Sequence, residues 1–119
     1  MDIVLTRGDT RVYTFTIVTE DGVKYVLGEK DKLYFTIKKR WFDKGCVLQK
    51  TFGNGITYDE DKQVYVLEFT HNCTCDIDCI DYVWDIELFI GNEEPPFVAT
   101  LAKGKFVVDF EATHKENET

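Results

Sequence analysis

The densest gathering of chemically able side chains is His71-Asn72-Cys73-Thr74-Cys75-Asp76-Ile77-Asp78-Cys79. Imidazole and thiolate ligands at close spacing can hold Zn²⁺ in a tetrahedron, and the usual signature is a pair of cysteine knuckles. Here one C-x-C is followed by three residues and a third cysteine, with His71 two residues ahead of the first. On an extended segment Cys73 and Cys75 face the same side, so His71, Cys73, Cys75 and Cys79 are the metal candidates to weigh. Against them stands the simpler reading, in which Cys79 fills core space and the other thiols are incidental. That reading is preferred, so no metal and no other cofactor is expected. The acids Asp76, Asp78, Asp81 and Asp85 raise calcium, but an EF-hand loop needs Gly at its sixth place and Glu at its twelfth. Counted from Asp76, those places hold Asp81 and Glu87, and the pattern fails.

Asp85 and Glu87 are two residues apart, and a carboxylate pair can cleave glycosidic bonds. In an alternating strand the same pair forms the solvated row, facing Lys or Arg across the ladder. The two histidines, His71 and His114, fall in a loop and a tail, and no Ser/His/Asp or Cys/His nucleophile set is suggested. Arg7-Gly8-Asp9 reads as a turn between two strands, since Gly allows it and Asp bonds nearby amides. Lys38-Lys39-Arg40-Trp41 closes a strand and blunts its edge. The glycosylation patterns Asn72-Cys73-Thr74 and Asn117-Glu118-Thr119 carry no meaning without export.

The elements that position these residues follow from composition and period. The 119 residues suit one domain. With 14 Lys and Arg against 22 Asp and Glu, the net charge is −8, which argues against a nucleic-acid binder. Apolar residues at 44% and aromatics at 14% suffice for a core. No apolar run approaches the ~18 residues of a membrane span. Met1 to Arg7 shows no apolar segment after a basic start, so no signal peptide is expected and the four cysteines are expected as reduced thiols. Residues 1–110 form the expected domain, and the polar stretch 111–119 reads as a disordered tail.

Period-2 alternation dominates. Tyr13, Phe15 and Ile17 alternate with Thr14 and Thr16. Leu33, Phe35 and Ile37 alternate with Tyr34, Thr36 and Lys38. Tyr65, Leu67 and Phe69 share one side, as do Trp84, Ile86, Leu88 and Ile90, and then Phe106, Val108 and Phe110. Turns are expected at Glu20-Asp21-Gly22, Gly53-Asn54-Gly55, Asp59 to Lys62 and Gly91 to Pro96, with a bulge or bend at Gly104. Helical spacing is confined to one turn within Asn72 to Ile80. About seven to nine short strands of this kind predict an antiparallel β-sandwich, with a small barrel as the alternative.

The order of these pieces resembles the N-terminal domain of the phage baseplate upper protein family. The resemblance rests on Leu5-Thr6-Arg7-Gly8-Asp9-Thr10 with Tyr13-Thr14-Phe15-Thr16-Ile17, on Leu33-Tyr34-Phe35-Thr36-Ile37-Lys38-Lys39, and on Val47-Leu48-Gln49-Lys50 ahead of Gly55-Ile56. It continues in Tyr65-Val66-Leu67-Glu68-Phe69-Thr70, Asp81-Tyr82-Val83-Trp84-Asp85-Ile86-Glu87-Leu88, and Leu101-Ala102-Lys103-Gly104-Lys105-Phe106-Val107-Val108. Trp84 stands where the family commonly has tyrosine, and Cys79-Ile80-Asp81 where it often has a glycine turn. The resemblance implies an immunoglobulin-like β-sandwich in a Firmicute phage or prophage, a non-enzymatic tail or baseplate component made in the host cytoplasm. It implies other virion proteins, or a second copy of the chain, as partners. Exposed aromatics are the candidate contacts: Trp41, Tyr34, Tyr58 and Phe89, the last on an otherwise polar row. The alternative is a carbohydrate-binding sandwich in which Trp41 works with Asp85 and Glu87.

Overall fold

Leu33, Phe35 and Ile37 are fully buried while the residues between them are not, and this alternation repeats along the chain. The computed structural model describes residues 1–92 and 94–112. Its strands are β1 (Ile3–Thr6), β2 (Arg11–Phe15), β3 (Lys32–Lys38), β4 (Leu48–Phe52), β5 (Gly55–Asp59), β6 (Val64–Phe69), β7 (Asp81–Ile90) and β8 (Phe97–Asp109). One helical turn, α1 (His71–Thr74), precedes β7. The fold is all-β. The strands join into one sheet in the order β1-β8-β7-β3-β4-β5-β6-β2. The two end strands, β1 and β2, are consecutive in sequence and joined across residues 7–10, so the sheet curls back on itself and is nearly a barrel.

The sheet is mixed, which corrects the purely antiparallel expectation. β1 runs parallel to β8, and β5 runs parallel to β4. The second pairing has a local cause. Gly53 and Gly55 sit at φ +93° and +98°, a region glycine enters without steric cost. The hydrogen bonds Thr51 N–H to Asn54 C=O (3.0 Å) and Gly53 N–H to Ile56 C=O (2.8 Å) close the step. The chain thus moves sideways without reversing, and the expected break becomes a jog from one strand to the next.

The curl lets strands that are not neighbours meet. Phe35 of β3 touches Phe69 of β6 edge-on at 5.6 Å between ring centroids, although β4 and β5 separate them in the sheet. Phe35 also stacks on Trp84 at 5.6 Å and meets Phe106 at 6.3 Å, while Phe69 and Phe106 lie 5.6 Å apart. Aromatic pairs of this kind add roughly 0.5–1.5 kcal/mol each beyond the area they bury. Tyr82 is also buried, and its hydroxyl donates to the Asp78 carbonyl at 2.7 Å, pinning the loop before β7.

Two expectations shift by a few residues. The bulge lies between Ile86 and Glu87 on β7, which pair with Ala102 and Thr100, so Leu101 is the extra residue. Gly104 serves another purpose: a Cβ there would lie 1.6 Å from the Met1 carbonyl oxygen, so glycine is what lets the N-terminus lie against β8. Phe110, expected on the buried row, is 76% exposed because the strand ends at Asp109, whose carbonyl accepts the Arg7 N–H. At 111, Glu111 accepts two hydrogen bonds from the Arg7 guanidinium. The rest of the expected tail from residue 113 lies outside the described residues.

Phe35→Ala is expected to cost about 3–5 kcal/mol, as truncation of a buried aromatic does. Tyr82→Phe, which leaves the Asp78 carbonyl without its donor, is expected to cost about 1 kcal/mol. Urea unfolding followed by tryptophan fluorescence measures both, and a Phe35→Ala loss below that of Tyr82→Phe would refute the central position given to Phe35.

Candidate functional site

The polar row of β3 and β7 forms the floor of an open face. Tyr34 stands between Glu87 on β7 and Thr51 on β4, and Thr36 stands between Asp85 and Gln49. Gln49 donates to the Thr36 hydroxyl at 3.1 Å. Tyr34, Thr36, Lys38, Lys44, Gln49, Asp85 and Glu87 line an open groove of about 400 Å³. Asp85 faces Lys103 across β8. Trp41 is 52% exposed in the loop after β3, and the Lys103 ammonium lies 5.6 Å from its ring centre. Trp41 shares a small adjoining recess with Thr36, Lys38 and Asp85.

The structure therefore brings Tyr34, Trp41, Asp85 and Glu87 to one face. Phe89 lies two residues further along β7, between Lys32 and Val98. It is half-buried, with the Lys32 ammonium 5.7 Å from its ring centre. Tyr58 is not part of this face. Its ring lies 4.9 Å from that of Tyr65, in the wall of a separate apolar recess of about 360 Å³ with Val26, Leu27, Phe52 and Ile56.

The His71–Cys79 segment disperses its side chains. His71 Nδ1 is 2.8 Å from the Gly8 carbonyl oxygen, and the Gly8 N–H donates to the buried Thr74 hydroxyl at 2.8 Å. The Arg7-Gly8-Asp9 turn is thus clasped to α1, with Gly8 at φ +81°. Cys73 turns the other way, toward Lys50, 3.3 Å from its sulfur. Among the described residues no group of three or more His, Cys, Asp or Glu converges as a metal site. Among the same residues no helix is long and apolar enough to cross a membrane.

Two groupings escaped the sequence. Arg40 lies with its guanidinium 4.9 Å over the 77%-exposed Phe42 ring. Asp31 accepts from the Tyr25 hydroxyl and from the Gly28 and Gly91 N–H groups, tying the loop before β3 to the end of β7. Partial desolvation pushes the Asp31 carboxyl upward, but these three donors outweigh it and hold it below the ordinary value of 3.8. The Gly28 N–H lies three residues before Asp31, the reverse of an Asx turn, so no turn signature in the sequence reports this bond.

No family model matches this sequence, and no curated protein is similar to it at a significant level.

The depressed Asp31 carboxyl sets a pH dependence. Its folded value lies below its unfolded one, so its contribution is present above about pH 4 and fades as pH falls through the folded value. Asp31→Asn is expected to lower the urea midpoint at pH 7, with the gap to the parent closing as pH falls through the folded value. An undiminished gap in acid would refute the assignment.

Proposed function

We propose that this chain is a non-enzymatic structural protein of a phage or prophage virion, a tail or baseplate component that works through protein–protein contacts. The observation that carries this reading is the first half of β8. Phe97 to Ala102 contains no charged residue in a chain that is 30% charged. Phe97, Val98 and Leu101 are 47%, 52% and 38% exposed. β1 covers β8 only from Phe106 to Asp109, so among the described residues no strand pairs with the outer edge of Phe97–Ala102. A long, uncharged strand edge is a template for a strand of another chain, and main-chain hydrogen bonds would supply much of the affinity. The resemblance in strand and turn order to the baseplate family supplies the virion setting, and the occupant is another virion protein or a second copy of the chain.

The immunoglobulin-like sandwich belongs to the same proposal. It would place β1-β8-β7-β3-β4 in one layer and β5-β6-β2 in the other, linked by the glycine jog. The Phe35–Phe69 contact across the interior supports it. So does the Tyr82 hydroxyl, whose bond back to the Asp78 carbonyl is of the kind a tyrosine corner makes.

A second reading, carbohydrate binding, is favoured by one observation: Tyr34, Asp85 and Glu87 share a single open polar groove with Trp41 beside it.

In purified particles from the host strain the chain is expected at stoichiometric levels, and Val98→Lys with Leu101→Lys is expected to lower its incorporation at least about tenfold, roughly 1.4 kcal/mol. Particles that lack the parent chain would overturn the reading. Saturable binding of an oligosaccharide that Trp41→Ala abolishes would favour the second.

A further inference from the structure

Lys50 sits on the inward row of β4 and is only 9% exposed. Its ammonium is 5.4 Å from the centre of the Phe69 ring and 3.3 Å from Cys73 Sγ. Gly55 makes room for it, since a Cβ there would lie 2.8 Å from Lys50 Cδ. A buried ammonium is costly unless a counter-charge accompanies it. The sulfur is the group placed to carry that charge. Cys73 Sγ also accepts the Thr70 N–H at 3.4 Å and lies 3.5 Å from the Thr70 hydroxyl. Burial pushes the Cys73 thiol up, but Thr70 and Lys50 together outweigh it and hold it below the ordinary thiol value.

We propose that Lys50 and Cys73 form an oxidant-sensitive pair, which a hydroperoxide converts into a covalent S–N bond joining β4 to α1. The half-buried thiolate attacks one peroxide oxygen. An S–O bond forms, the O–O bond breaks, and the departing hydroxide takes a proton from the Lys50 ammonium to leave as water. Sulfur is oxidised to the sulfenic acid and the peroxide is reduced. The freed amine then displaces the sulfenic oxygen as a second water. The balance for hydrogen peroxide is one thiolate, one ammonium and one peroxide giving one sulfenamide and two waters. The bond is reversed by a thiol, which attacks the same sulfur.

The test is peptide mapping by mass spectrometry after the purified protein meets hydrogen peroxide. The expected product is a cross-linked pair of peptides carrying Lys50 and Cys73, lighter by two hydrogens than the separate peptides and released by dithiothreitol. In Lys50→Arg, which keeps the charge but does not condense, the link is expected to vanish and Cys73 to proceed to sulfinic acid. Because the link is sought in the parent protein, the test does not depend on how well the variant folds. Cys73 recovered from the parent as a disulfide with Cys75 or Cys79, or as sulfinic acid beside an unmodified Lys50, would overturn the proposal.

Discussion

The structure depends on aromatic rings meeting across the interior of a single curled sheet. Phe35, Phe69, Trp84 and Phe106 come from β3, β6, β7 and β8, and only β3, β7 and β8 are neighbours in the ladder. A flat sheet of eight strands would leave these rings facing water. Bringing Phe69 onto Phe35 removes both from solvent and forces the curl, and the curl then sets where every outward residue lies. Each buried aromatic of this size contributes about 1.5–3 kcal/mol through burial alone. The Trp84 Nε1 group is buried without a hydrogen-bond partner among the described residues. Leaving such a group unpaired costs about 1–3 kcal/mol, so the ring is held there by its packing.

The rows of buried residues were legible in the sequence because a strand's period of two leaves a direct trace. Leu33-Phe35-Ile37, Tyr65-Leu67-Phe69 and Trp84-Ile86-Leu88 all appear on the core side. The mixed character of the sheet was not legible. Gly53-Asn54-Gly55 is compatible with a reversal or with a sideways step, and the choice is made by which neighbour the following strand finds. The parallel pairing of β1 with β8 joins residues about a hundred positions apart, and no local pattern reports it. Tyr82 is a related case. It precedes the Trp84 row by the right spacing, yet its burial rests on a hydrogen bond to Asp78 in a loop whose shape the sequence did not dictate.

Site residues were legible in part, for the same reason. Tyr34, Asp85 and Glu87 alternate with core residues, so their shared face follows from the strand period once β3 and β7 are paired. Tyr58 alternates too, but its strand lies beyond the jog and turns it into a different wall. The cluster from His71 to Cys79 misled because sequence proximity is not convergence. A single helical turn rotates His71 toward Gly8 and Cys73 toward Lys50, so the residues with the richest chemistry have different partners. Lys50 was invisible as a core residue because a lysine in a polar stretch is ordinarily solvated. Only the absence of a side chain at Gly55 gives it space.

The edges of the sheet show where contact with another chain is least opposed. β1 and β2 are short, at four and five residues, and β2 opens with Arg11; short and charged edge strands resist pairing. β8 differs along its length. Its second half is covered by β1 from Phe106 onward and carries Lys103, Lys105 and Asp109 at or beside the covered stretch. Its first half, Phe97–Ala102, carries no charge and includes, near its end, the bulge at Leu101, which would break register with any strand that tried to follow the whole edge. Lys103 and Lys105 confine a partner strand to Phe97–Ala102, a length of about six residues, which is typical of a paired strand. Phe97–Ala102 is therefore the stretch of β8 that is both uncharged and uncovered by β1, and it is longer than the equally uncharged edge of β1.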